Sequence, residues 1–422
     1  MANFGLQLPT IQNWSCQSCS GCCKQHGIFI TPEEKQRIEE QNWTPTDGIP
    51  ADQPIFVKMG GGLRKTWWRL AHQPDGACVF LDEQGLCRIH GKFGEPAKPL
   101  ACRIYPYAFH PAGKKVTVSL RFSCPTVVAN GGRSMLEQSK ELRSIARQVV
   151  PDNVTQATPP DITPGQRLDW KDFHRFIDAL DETFDQDDMS FLSRLLHAGM
   201  WMGVVEQSKF DRVLGDRLKE FLDIIVEASE AELPDDLQEI PAPSRVGRMQ
   251  FRLLAGQYAR KDTYASADGT LRGRLRLLKT AMNLTRGQGN LPPIQDCFRE
   301  VPFETLEQPF GVPKEADEIF TRYFRVKIQG LAFCGRAFYR VPLVEGFYSL
   351  MLVYPAVLWI ARWLAASDDR GTLTVDDVAH AMTIADHHHG YSPAFGTWGF
   401  RRRVRTLAQM GDIARLAAWY SR

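Results

Sequence analysis

The sequence predicts an α+β protein: a small cysteine-rich segment of short strands and hairpins, followed by a mostly α-helical domain. Three observations predict it. Eight of the ten cysteines fall between Cys16 and Cys124, in a glycine-rich stretch with little helical periodicity. Beyond about Ser134, apolar residues recur at helical spacing. The 422 residues are 43% hydrophobic and 24% charged, enough for a buried core and two to three ordinary domains.

Taken in order, Thr31-Pro32-Glu33-Glu34 reads as a helix start. Thr31 can cap, Pro32 suits the first turn, and Glu34 can close a capping box, so a short helix is expected to about Gln41. Ile55–Met59 and Thr66–Leu70, with Gly60-Gly61-Gly62 between them, read as a hairpin. The glycines lack the spacing of a phosphate-binding loop. Cys78-Val79-Phe80-Leu81 and Leu86-Cys87-Arg88-Ile89 read as a second hairpin, placing Cys78 and Cys87 on neighbouring strands.

In the second part, three apolar stripes predict core-facing helices. They are Phe210, Val213, Leu214, Phe221, Leu222 and Ile225; Ile319, Phe320, Tyr323, Phe324 and Ile328; and Val404, Leu407, Ile413, Leu416 and Tyr420. The expected domains are residues 1–130, cysteine-rich, and 131–422, helical. Pro-rich breaks fall at 151–164, the stronger domain break, and at 234–243. The acidic run Asp181–Asp188 and the basic run Arg401–Arg405 are read as solvated helix ends. His387-His388-His389 closes a helix capped at Thr374.

Composition narrows the function. A formal net charge of +2 gives no reason to expect nucleic-acid binding. The most apolar run, Phe347 to Ala361, is interrupted by Pro355 and shorter than a membrane span, so it is expected as a buried core helix. No secretory pattern opens the sequence, and a cytoplasmic location is expected. Clustered cysteines in a reducing compartment argue for metal binding rather than disulfides.

Cys16-x-x-Cys19-x-x-Cys22-Cys23 is the strongest signal. Thiolates are soft ligands that suit zinc and iron–sulfur clusters. The spacing lets one tight turn aim three sulfurs at a shared centre, with small Ser18, Ser20 and Gly21 allowing the bend. Neighbouring side chains are expected to diverge, so Cys22 and Cys23 would face different centres. Cys78, Cys87, Cys102 and Cys124 supply further thiols. Eight could build two four-cysteine zinc sites, or one 4Fe–4S cluster plus a zinc ion. Cys297 and Cys334 are expected as core residues.

The quartet, the helix from Thr31, the stretch Cys78-Val79-Phe80-Leu81 to Gly85-Leu86-Cys87-Arg88-Ile89-His90, and Pro99-Leu100-Ala101-Cys102-Arg103-Ile104-Tyr105-Pro106 together resemble the CxxCxxCC cysteine-cluster family, a zinc- or iron-chelating family, over about residues 14 to 126. In length and layout the chain also resembles the flagellin lysine N-methylases. The resemblance implies metal ligation at Cys16, Cys19, Cys22, Cys23, Cys78, Cys87 and Cys102. It also implies methyl transfer from S-adenosylmethionine to a lysine-bearing protein substrate. Arg103 could then hold a cofactor carboxylate and Tyr105 orient a substrate amine; alternatively, Arg103 offsets thiolate charge and Tyr105 packs. Two departures stand against a familiar enzyme: there is no glycine-rich strand–turn–helix of ordinary methyltransferases, and no radical-enzyme cysteine spacing. The rival reading is a non-catalytic zinc or iron module that holds the fold or a redox centre.

Overall fold

The computed structural model describes residues 4–59, 67–234, 236–260 and 271–422. These divide into two compact units, one of residues 15–106 and one of residues 4–14, 107–260 and 271–422. The architecture is α+β, with short sheets towards the N-terminus and helices beyond.

The first strand, β1 (Gly5–Gln7), belongs to the larger unit and is taken up with it below. The smaller unit starts with a loop carrying Cys16 and Cys19. Ser18 and Ser20 are left-handed there (φ 55° and 56°), a backbone region few non-glycine residues occupy. Helix α1 (Gly21–Gln25) and strand β2 (Phe29–Ile30) follow. Helix α2 (Pro32–Glu39) starts as its sequence dictates, on a complete capping box with proline in its first turn. Strands β3 (Phe56–Met59) and β4 (Trp67–Leu70) pair antiparallel, Phe56 opposite Leu70, and β2 adds to the other edge of β4. The expected hairpin is therefore present; its glycine turn lies outside the described residues.

The second expected hairpin is not. Only isolated bridges form, His72 with Cys78 and Leu81 with Cys87. The Asp82 carboxylate accepts the Leu86 amide (2.7 Å) and closes the turn. Cys87 then precedes helix α3 (Arg88–Phe93), ended by left-handed Gly94, so the chain leaves the ladder after one pair. Helix α4 (Leu100–Ile104) completes the unit. Ile30, Ile38, Ile49, Leu70, Val79, Phe80 and Ile89 form its core.

The larger unit holds a hairpin the sequence reading missed. Strand β5 (Tyr107–Ala112) pairs antiparallel with β6 (Lys115–Leu120), and β1 runs parallel along β6. Val116, Val118 and Leu120 alternate along β6 and are all buried. The hairpin packs with the helices: Thr117 Oγ1 donates to the Gly330 carbonyl (3.1 Å) and Lys327 Nζ to the Leu120 carbonyl (3.1 Å). The change of texture near residue 130 therefore does not coincide with the division between units.

The helices run α5 (Pro125–Val128), α6 (Ser139–Val149), α7 (Trp170–Phe184), α8 (Phe191–Gln207), α9 (Asp216–Ala231), α10 (Arg245–Ala259), α11 (Leu271–Arg286), α12 (Phe303–Leu306), α13 (Ala316–Gln329), α14 (Leu343–Met351), α15 (Val353–Ser367), α16 (Val375–His388), α17 (Trp398–Gln409) and α18 (Asp412–Tyr420). Residues Leu343–Ser367 are long and apolar enough to cross a membrane, yet every one is buried inside the unit. Arg362, within this core, donates to the carbonyls of Leu306, Tyr420 and Arg422. These three bonds to main-chain carbonyls make a buried guanidinium tolerable.

The middle stripe lies wholly on α13 and is buried as expected. The first is broken: Gly215 is left-handed (φ 61°), α9 starts after it, and Leu214 is exposed. The third spans two helices, α17 and α18, separated by left-handed Gly411. The charged runs are not simply solvated. Asp181 pairs with Arg325 (2.9 Å), and Arg401 and Arg405 both bind buried Glu345 (2.6 and 2.7 Å).

Candidate metal centre

Beyond the loop of Cys16 and Cys19, four separate pieces of local structure carry thiols in the smaller unit. Cys22 and Cys23 sit on α1, a turn of helix allowed by the two left-handed serines before it. Their sulfurs do not diverge: they are hydrogen-bonded at 3.9 Å, so the expectation that they face apart is overturned. Cys78 lies on the bridged segment beyond β4, and its N–H donates to the Cys23 carbonyl (2.8 Å). Gln73 fixes that segment through its side-chain amide, which donates to the carbonyls of Cys78 (3.0 Å) and Leu81 (2.8 Å). Cys87 stands where the turn enters α3. That helix is anchored by Arg88, which donates to the Asp47 carbonyl (3.1 Å), and by the Lys92–Asp47 ion pair (2.6 Å).

Cys102 is on α4. The capping-box carboxylate of Glu34 reaches both ways: one oxygen accepts the Thr31 amide (2.9 Å), the other the Leu100 amide at the start of α4 (2.6 Å). One side chain thereby ties the helix after the quartet to the helix that carries Cys102.

The ionisation of these thiols is coupled. The Cys22 thiol is held well above its ordinary range, first by its hydrogen bond with Cys23 and then by burial. Burial, with smaller contributions from Cys87 and Cys22, pushes Cys78 up to about 12. Burial also pushes Cys102 far up, with contributions from Cys78, Cys87 and Cys22. Cys78 and Cys102 therefore lie within electrostatic reach of Cys22 and Cys87. Unpaired thiolates would be costly there; protons or a cation must compensate them. Lys98 lowers the pKa of both Cys22 and Cys102. Sequence reading passed over it, although its place just ahead of Pro99-Leu100-Ala101-Cys102 was visible.

The remaining site residues fall as follows. Cys16 and Cys19 are exposed. Their loop lies beside the turn before Cys87, where a Cβ at Gly85 would meet Ser20 Oγ at 3.6 Å. Cys124 is buried in the larger unit, at the position preceding α5. Cys334 is a buried core residue, as expected, and Cys297 is half-buried. Arg103 is ion-paired with Glu95 (2.9 Å), so this guanidinium is already engaged by a carboxylate. Tyr105 rests against the His26 ring (4.9 Å). Tyr107 donates to Gln138 (3.1 Å) and stands edge-on to Trp14.

The histidine run ends α16 and divides its rings: His389 Nδ1 pairs with the Tyr258 hydroxyl (2.8 Å), while His388 Nε2 meets the Arg260 carbonyl. Among the described residues, no three potential ligand side chains already stand in coordination positions. The thiols are gathered without forming a closed shell. As a donor set they fit zinc or an iron–sulfur cluster: soft, several, and drawn from short segments that can adjust.

Comparison with known proteins agrees with this chemistry. Residues 15–125 match the model of the CxxCxxCC family, described as a "Putative zinc- or iron-chelating domain". The chain is similar to a lysine-N-methylase of Salmonella typhimurium, 29% identical over 120 residues, which are 26% of this chain and 29% of that protein. It is also similar to the flagellar biosynthetic protein FliU of Salmonella muenchen, 28% identical over 120 residues, 26% of this chain and 69% of that protein. The chain thus covers less than a third of the length of the lysine-N-methylase it matches. No solved structure matches. Residues 15–125 are thus similar to the CxxCxxCC family, whose described property is the chelation of zinc or iron.

Proposed function

We propose that this protein holds a zinc ion or an iron–sulfur cluster on the thiols of its cysteine cluster, with Cys22, Cys78, Cys87 and Cys102 at its heart. Cys16, Cys19 and Cys23 are the further candidate ligands within the same unit, whereas Cys124 belongs to the larger one. The carrying observation is geometric: the Cys78 N–H bonds to the Cys23 carbonyl and Glu34 ties the helix after the quartet to the helix of Cys102, so cysteines far apart in sequence share one unit. Bound metal would supply the positive charge that lets buried thiols ionise, and its binding energy would add to the stability of the fold. Lys98 offsets part of the remaining negative charge.

The finer reading is a protein-lysine N-methylase that draws its methyl group from S-adenosylmethionine. Its support is the name of the Salmonella relative and the stretch shared with it. Arg103 is a poor candidate for the donor's carboxylate, being paired with Glu95. The rival is a non-catalytic zinc module.

Anaerobic purification separates them. A brown protein carrying iron and sulfide, which adds methyl mass to a lysine-bearing protein when given S-adenosylmethionine, is the outcome expected of the methylase. A colourless protein with zinc alone and no transfer supports the module. Protein that takes up neither zinc nor iron, even after reconstitution, would remove the metal centre itself.

A further inference from the structure

The larger unit contains a cavity of about 250 Å³ that has no part in the cysteine cluster. Its walls come from β5, from the segment just before α7, and from the loop between α13 and α14. Three arginines line it, Arg167, Arg336 and Arg340, against one carboxylate, Asp161. Asp161 is paired with Arg167 (2.7 Å). The side chains of Arg336 and Arg340 make no ion pair or hydrogen bond among the described residues. The cavity therefore carries two uncompensated positive charges at its rim.

The loop that presents them is built rather than loose. Within ten residues, Leu331, Gly335, Tyr339 and Arg340 are all left-handed (φ 52°, 58°, 46° and 58°). Three of these are not glycine, and such strain persists only where surrounding structure imposes it. Here the Gly335 amide donates to the Val341 carbonyl (2.8 Å) and the Arg340 amide to the Gly335 carbonyl (2.7 Å). At Gly335 a Cβ would collide with Pro160 at 2.5 Å, so the loop is seated on the opposite wall. That wall is fixed in turn: the Asp161 and Ile162 carbonyls accept the Leu343 and Val344 amides (2.8 and 3.1 Å). Trp170 is held by its indole N–H donating to the Ala157 carbonyl (2.8 Å), and offers an apolar surface. The conformation aims two arginines of one tight loop at a common space.

We infer that this cavity binds a small molecule bearing a phosphate or carboxylate group. Arginine forks recognise such oxyanions with paired N–H donors, and a rigid loop loses little freedom in doing so. The volume lies just below the usual range of small-molecule sites, which restricts the ligand to about a dozen heavy atoms. His110 stands at the inner wall, uncharged because burial and the neighbouring Lys327 hold its pKa down to about 4. It leaves the charge of the site to the arginines and offers a neutral ring nitrogen to the ligand's body. This inference is independent of the metal centre.

The test is titration calorimetry on the full chain with inorganic pyrophosphate and with succinate, each against sodium chloride of equal ionic strength. Saturable binding of at least one is expected, weakened at least tenfold in Arg336→Ala/Arg340→Ala and unchanged in Arg217→Ala, a control on the exposed face of α9. Preference for pyrophosphate would assign phosphate ligands and preference for succinate carboxylate ligands. Absence of binding by both beyond the chloride control, or equal binding by the double variant, overturns the proposal. Both arginines are exposed, so the double variant should keep the parent's far-ultraviolet spectrum and melting temperature, and a loss of binding would then be local.

Discussion

The Cys78 N–H donates to the carbonyl of Cys23 at 2.8 Å, joining the end of the cysteine quartet to the second group of thiols. This bond places Cys78 beside α1 by main chain alone. The sulfurs are left free for another task. Substitution at either cysteine therefore changes ligand chemistry while sparing the bond that brings the two segments together.

From this follows a contrast between variants. Cys78→Ser and Cys102→Ser should each lower bound zinc or iron by at least half in anaerobically purified protein, measured by plasma emission. Cys334→Ser, a buried thiol outside the coupled group, should keep its metal. Full metal content in the first two would take them out of the ligand set.

Glu34 serves two helices at once, accepting the Thr31 and Leu100 amides. Glu34→Ala should cost about 1–2 kcal/mol, the loss of a cap plus an unsatisfied amide. Urea unfolding followed through the tryptophans of the smaller unit would measure it. Glu34→Gln should recover part of the loss, since an amide oxygen can still accept one of the two bonds. An unaltered midpoint in Glu34→Ala would mean that the tie between α2 and α4 contributes nothing.

Lys327 and Asp386 form an ion pair at 2.7 Å, both almost wholly buried. Asp386 also accepts the Ser123 amide (3.1 Å). Lys327→Met should destabilise the larger unit by about 3–5 kcal/mol, because it leaves a buried carboxylate without its cation. Lys327→Met/Asp386→Leu should regain at least half of that. If the double variant is as unstable as the two single losses added together, the pair is not coupled as described.

The pH dependence has a definite sign. His110 is half-buried near Lys327, and desolvation and that charge lower its pKa from 6.5 to about 4; the pKa of buried His389 is also lowered well below 6.5, by burial and then Lys327. In the unfolded chain both would take a proton below about pH 6.5, whereas in the folded chain they do not. Stability is therefore complete above that pH and declines as pH falls towards 4, by at most about 1.4 kcal/mol per pH unit for each ring. Chemical denaturation at pH 7, 6 and 5 should show this slope, and His110→Gln should make it shallower. Parallel slopes in parent and variant would place the titration elsewhere.

Several elements were legible because their causes are local. Thr31, Pro32 and Glu34 specify a helix start within four residues, and the structure reproduces it with the capping box complete. The stripe from Ile319 to Ile328 is one helix face because no glycine interrupts it. Where a left-handed glycine intervened, at Gly215 and Gly411, periodicity ran on across a break it could not register. The expected ladder between Cys78 and Cys87 failed for a related reason: the turn closed by Asp82 allows one bridge before α3 begins. The hairpin from Tyr107 to Leu120 was not legible because His110 and Pro111 interrupt the apolar pattern of its first strand, while its second is buried on both faces from Val116 to Leu120.

By itself the sequence determined the α+β class, the soft-ligand chemistry of the thiols and their resemblance to a chelating family, because residue type and short spacing carry that information. Only tertiary structure decided which thiols feel one another, that Cys22 and Cys23 lie together rather than apart, that Arg103 is taken by Glu95, and that Arg336 and Arg340 overlook a cavity. Those outcomes depend on which distant segments share a core and on where each buried charge finds its partner. Long-range packing sets both, and no window of neighbouring residues encodes either.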